Sequence, residues 1–231
     1  MRVKGFMLLI VASLILITFK TYAPKINHVI DETSDIEDSE AIFAYSPLSD
    51  EVAERITGIS YIENDEVKIT DLVYVQITHW GFDEKEHRGE VILNKKVAEE
   101  VVEIFKELYK AKFPIEKIRI IDEYDAKDEL SMLDNNTSAF CYREIAGGNG
   151  KLSYHSYGIA IDINPVQNPY VKNNTVLPES GRTYLDRTNV RKGMIVEGDP
   201  CYNAFKKRGW TWGGDWNSLK DYQHFEFKLN E

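Results

Sequence analysis

Two stretches of the chain carry residues whose types and spacing suit chemistry. The first is Ser153-Tyr-His-Ser-Tyr-Gly-Ile-Ala-Ile-Asp-Ile-Asn164. Read as a strand from Gly158, it turns Ile159, Ile161 and Ile163 to one face and Ala160, Asp162 and Asn164 to the other. A carboxylate in the middle of an apolar strand is costly to bury unless it is paired or holds a metal. Gly158 and Ala160 remove bulk beside Asp162, which leaves space for something to approach, and His155 can fold back from the preceding loop. The second stretch is Gly209-Trp-Thr-Trp-Gly-Gly-Asp-Trp216, followed by Asp221-Tyr-Gln-His-Phe-Glu226. A strand that starts at His224 points Phe225, Phe227 and Leu229 into a core. His224 and Glu226 then face the other way, so the imidazole can meet Asp162 across a sheet.

Two imidazoles and one carboxylate leave the fourth position of a tetrahedral zinc open, which is the arrangement of a catalytic site. Asp221, three residues before His224, is a carboxylate placed to take a proton from an activated water. Spacing alone leaves a plainer alternative open, because two His with two Asp occur together in many domains as surface or satisfied core residues. Ser153 and Ser156 lack the base and orienting group that a nucleophile needs. His79 and His87 lie outside both stretches and carry no expected role.

Ser153-x-His155-x-x-Gly158-x-Ala160-x-Asp162, together with Asp221-x-x-His224-Phe225-Glu226, resembles the M15 family of zinc D-Ala-D-Ala carboxypeptidases and L-Ala-D-Glu endopeptidases. The similarity runs from about Leu72 to Phe227. It includes Asn135-Asn-Thr-Ser-Ala-Phe140 with Arg143, Asn164-Pro-x-x-Asn-Pro169, and the Trp-rich stretch. The resemblance implies that His155, Asp162 and His224 hold Zn2+, with Asp221 as catalytic base. It implies that Arg143 stabilises a developing oxyanion or grips a substrate carboxylate, with a surface ion pair as the alternative. Ser153, Trp212 and Trp216 are further expected substrate contacts, although either tryptophan suits a buried core equally well. Glu226 either orients a ligand or sits in a surface pair. The implied substrates are peptidoglycan stem peptides, cut at L-Ala-D-Glu or D-Ala-D-Ala. Asp rather than Glu at position 221 leans toward the endopeptidase branch. Two rival readings are a non-catalytic zinc-containing module that grips wall peptide, and a surface protein with a structural ion.

The elements that must position these residues read as a single compact α+β domain with a small antiparallel sheet and flanking helices, over residues 49–231. Ser49-Asp50-Glu51 caps a short helix. Leu72-Val-Tyr-Val-Gln-Ile-Thr78 and Ile118-Arg-Ile-Ile121 read as strands. Val97, Val101, Ile104, Phe105 and Leu108 recur at helical spacing, so a helix is expected from Lys95 to about Lys112 with Asn94 as its cap. Acidic residues crowd residues 24–48, which read as a solvated linker.

Ahead of that linker, Arg2 and Lys4 precede an apolar run from Phe6 to Phe19. This is the pattern of an export signal over residues 1–23, cleaved or kept as an apolar membrane-anchoring helix. The domain is accordingly expected outside the cytoplasm, as a monomer. A formal charge of -10 argues against non-specific nucleic-acid binding, which relies on a basic face. Cys141 and Cys201 are far apart in sequence and allow either one disulfide or two free thiols.

Overall fold

The computed structural model describes residues 40–145 and 148–229, in one unit of contacts that runs from Glu40 onward. Phe43–Pro47 forms strand β1, which pairs antiparallel with β2 (Leu72–Trp80), and β2 pairs antiparallel with β3 (Glu86–Asn94). The folded domain therefore begins earlier than Ser49. Phe43 supplies the physical reason, packing its ring edge-on against Tyr109 at 5.3 Å. Helix α1 (Asp50–Ile56) starts where the sequence places it, with the Val52 N–H donating to Ser49 Oγ at 3.3 Å.

Period-2 alternation along β2 buries Val73, Val75 and Ile77 in one cluster with Val101, Ile104, Phe105 and Leu108 of α2 (Ala98–Lys110). Each such side chain contributes roughly 1.5–3 kcal/mol when fully buried. The helix is shorter than its apolar pattern. Asn94 does not cap it: its side chain accepts from the Lys96 N–H at 3.0 Å and closes a turn ahead of the helix. At the other end Lys112 adopts a left-handed conformation, with φ 51°.

The strand expected over Ile118–Ile121 is cut to β4 (Lys117–Ile118). From Ile121 the chain turns into a 3-10 helix, in which Asp122 accepts from the backbone and hydroxyl of Ser60 at 3.0 and 2.8 Å. After α3 (Asp128–Leu133) comes β5 (Asn136–Thr137), which runs parallel to β4. Then follow β6 (Ala160–Asp162), β7 (Tyr170–Lys172), β8 (Thr175–Leu177) and α4 (Pro200–Lys206). The last strands are β9 (Thr211–Trp212), β10 (Lys220–Asp221) and β11 (His224–Glu226).

The α+β class holds, but the single expected sheet is several. Among the described residues there are three three-stranded antiparallel sheets, β1-β2-β3, β10-β7-β8 and β6-β11-β9, and the parallel pair β4-β5. Phe205 of α4 stacks on Phe225 of β11 at 4.0 Å, which ties the core to the strand that carries His224. Trp210 is buried beside them and donates its indole N–H to Glu100 at 2.6 Å. Cys141 and Cys201 are buried and unpaired, so of the two alternatives the free thiols hold. The apolar run of residues 6–19 lies outside the described residues. No described helix is long and apolar enough to cross a membrane.

Candidate metal centre and active site

Strand register fixes the centre. β6 and β11 pair antiparallel with His224 directly opposite Asp162 and Phe225 opposite Ile161. The expected split of faces follows: Phe225 is fully buried in the core, and His224 meets the carboxylate with Nδ1 2.9 Å from Oδ1. His155 arrives on a 3-10 turn, Tyr154–Tyr157, capped at its start by Ser153, whose Oγ accepts from the His155 N–H at 3.3 Å. His155 Nε2 lies 3.2 Å from Asp162 Oδ2 and 3.2 Å from His224 Nδ1. All three residues are buried, and their ligand atoms lie within 4.8 Å of one another.

Gly158 ends the turn for a reason other than room beside Asp162. Its φ is +66°, and a Cβ there would sit 2.6 Å from the backbone nitrogen of Asn94. The turn is pressed against the end of β3, where the Asn94 N–H donates to Gly158 O at 2.8 Å and the Asn94 side chain donates to Tyr157 O at 3.1 Å.

The outward nitrogens of both imidazoles are already spent. His155 Nδ1 is 2.5 Å from the carbonyl of Ala139, to which it can only donate, so its Nε2 is left bare. His224 Nε2 is 3.2 Å from Glu226 Oε2, which leaves Nδ1 facing the centre. The electrostatics have the same sense. Burial alone would raise the Asp162 carboxyl, but His155 and His224 hold it far below the usual carboxylate range. Burial alone would lower His224, but its bonds to Asp162 and Glu226 carry it up to about 10. The cluster thus favours positive charge among its donors. Two imidazoles with fixed tautomers and one ionised carboxylate fit a zinc-type cation.

These donors open on a cavity of about 330 Å³ that is also lined by Asp221, Arg143, Ser153, Glu226 and Trp216. Asp221 is set by β10, opposite Tyr170 of β7. A Cβ on Gly213 would stand 2.5 Å from the Asp221 carbonyl, so the Gly-Gly-Asp stretch must be bare to pass that close. Burial, reinforced by nearby Asp162, pushes the Asp221 carboxyl up to about 7. Arg143 ion-pairs with Asp128 at 3.0 Å while lining the same cavity, so the pair and the site are one feature. Trp216 holds its ring centre 5.5 Å from that of His224.

Trp212 is not a wall of this cavity. Its ring is buried among Tyr202, Tyr222 and Phe225, and its indole N–H donates to Tyr222 O at 2.8 Å. Position 212 pairs with Phe225 across β9 and β11, and so shares the core face rather than that of His224.

Residues 146–227 match the family model described as D-alanyl-D-alanine carboxypeptidase. The M15 resemblance drawn from the motifs is therefore shown over the stretch that holds His155, Asp162, Asp221 and His224. Arg143 and the Asn135–Phe140 motif lie ahead of the matched residues. No solved structure matches the chain.

Around this M15-like centre the structure adds groups that the motifs alone do not reveal. The segment ahead of the match buttresses Asp162 from the other side. Ser138 N–H donates to Asp162 O at 3.1 Å, the Asp162 N–H returns a bond to Ser138 O at 2.9 Å, and the next residue offers the carbonyl that fixes His155. Asn164 and Asn168 are structural: their amides bind the carbonyls of Pro114, Ile163 and Gly193 and hold the loop after β6. Asp128 orients Arg143. Gln223 lines the cavity with its Oε1 buried and unpartnered.

Proposed function

We propose that this chain is a zinc metallopeptidase that hydrolyses peptide bonds in peptidoglycan stem peptides. The observation that carries this reading is the convergence of His155, Asp162 and His224 on a cavity that also holds Asp221 and Arg143. Zinc bound by those three side chains would acidify a water and polarise the scissile carbonyl.

The remaining work falls to the chain. Both imidazoles have their second nitrogens engaged, by Ala139 and Glu226, so neither is free to shuttle protons. Asp221 is poised near neutral, which suits a group that takes a proton from water and returns it to the leaving amine. Arg143, anchored on Asp128, offers its remaining guanidinium N–H groups to the carbonyl oxygen or to a substrate carboxylate. Trp216 beside His224 supplies an apolar wall for the peptide.

Asp at position 221 favours the L-Ala-D-Glu bond. Arg143 in the cavity favours the second reading, removal of a terminal D-Ala, which is also what the matched family's description names. The export pattern of residues 1–23 would deliver the domain to the extracytoplasmic side of the membrane, where such peptides lie.

Mass spectrometry of purified muropeptides incubated with zinc-loaded protein tests the proposal. Products cut at L-Ala-D-Glu, or shortened by one D-Ala, are expected and name the bond. Intact muropeptides after incubation with folded, zinc-loaded protein contradict it.

A further inference from the structure

The inward row of the β2-β3 hairpin reads Val73 opposite Leu93, Val75 opposite Val91 and Ile77 opposite Gly89, and then ends on His79 opposite His87. Directly opposed residues of an antiparallel pair share a face with their Cβ atoms about 5 Å apart. Two imidazoles therefore stand where two aliphatic side chains would continue the core. Their ring centres are 5.8 Å apart with a 33° tilt, close to the 5.0 Å between His155 and His224.

His79 is only 3% exposed, yet neither of its ring nitrogens has a hydrogen-bond partner. A buried polar group left in this way is costly and calls for a water or an ion. Burial, with His87 alongside, pushes His79 down to about 4, so at neutral pH it presents a bare nitrogen. His87 is the exposed member, and its Nε2 lies 2.9 Å from Asp83 Oδ1. That carboxylate orients the ring and leaves Nδ1 for another partner, as carboxylates do behind metal-bound histidines. His87 and Asp83 are pressed against bare backbone: a Cβ on Gly81 would lie 2.5 Å from Asp83 Oδ1 and 2.7 Å from His87 Nε2.

Both rings line a cavity of about 620 Å³, separate from the one at His155, with room for water. Cations line it too, but two of them are offset, Lys117 by Asp134 at 2.8 Å and Arg119 by Glu123 at 3.6 Å. We propose that His79 and His87 form a cross-strand imidazole pair that binds a first-row divalent cation such as Zn2+, with water from the cavity filling its other positions. Imidazole suits this class of ion. With two protein ligands the site is weaker than the three-ligand centre, and it clamps β2 to β3 beside the turn that joins them. It is independent of the peptidase reading.

Equilibrium dialysis of the full chain against excess Zn2+, followed by metal analysis, tests it. Two zinc ions per chain are expected for the unaltered protein and one for His87→Asn, a substitution at an exposed position. Asp162→Ala is expected to lose the other ion and keep this one. Equal zinc content in the unaltered protein and in His87→Asn, whatever that content is, overturns the proposal. Anomalous scattering at the zinc edge from crystals of the unaltered protein reads the same question without a variant. A peak between the two rings supports the site, and a peak at the His155 centre alone refutes it.

Discussion

His224 and Asp162 face each other across two adjacent strands, Nδ1 to Oδ1 at 2.9 Å, and this pairing builds the centre. A one-residue slip would turn His224 into the core and send Phe225 outward. The stack of Phe225 on Phe205 resists that slip, so the geometry of the site is held by an apolar contact on the opposite face of β11.

Glu226 has a definite job in this arrangement, because it fixes which nitrogen of His224 faces the centre. Glu226→Gln is expected to keep the fold and weaken zinc affinity by about 10–100-fold. Competition with a chromogenic chelator measures this. Unchanged affinity would reduce Glu226 to a surface charge.

Asp221→Ala is expected to bind zinc normally and lose roughly 10²–10⁴-fold in cleavage rate. Metal analysis and a muropeptide assay on the same sample separate the two properties. A variant that binds zinc and cuts at the full rate would remove Asp221 from the mechanism.

Arg143→Ala is expected to cost on the order of 10²–10³ in kcat if the guanidinium meets the developing oxyanion. Asp128→Asn leaves the guanidinium in place but frees it, and should give a smaller loss of the same kind. Steady-state kinetics distinguish this from a carboxylate grip, for which KM rises and kcat holds.

His79 sets an acid limit on stability. Its folded value is about 4 and its unfolded value about 6.5, so the unfolded chain takes up the proton first. Stability is therefore full above about pH 6.5 and falls as the pH drops toward 4, by on the order of 3 kcal/mol. Urea unfolding of chelator-treated protein at several pH values measures the slope, which His79→Leu should flatten. Equal slopes in the two proteins contradict this assignment.

The clustering of His155, Asp162 and His224 was legible in the sequence because their signals lie in side chains and in a period of two. Asp162 interrupts an isoleucine alternation, and His224 heads an aromatic one, so both faces and even their meeting across a sheet could be read. Other parts of the site had no such signature. The Ala139 carbonyl that orients His155 is backbone and carries no residue-type signal. Asp128 meets Arg143 only through the path of the loop between them. Trp212 and Trp216 look alike in sequence, and pairing with Phe225 sends the first into the core. Strand β1 was hidden because acidic composition masks the one ring, Phe43, that docks it. Helix α2 began later than its apolar pattern because Asn94 spends its side chain on a preceding turn.

The most direct measurement is muropeptide cleavage by one preparation, followed through chelation and restoration of Zn2+, with His155→Ala alongside. Cleavage is expected to vanish on chelation, return with Zn2+ and stay absent in the variant, while far-ultraviolet circular dichroism remains unchanged. Cleavage that survives thorough chelation, or that persists in His155→Ala, would contradict a zinc peptidase built on His155, Asp162 and His224.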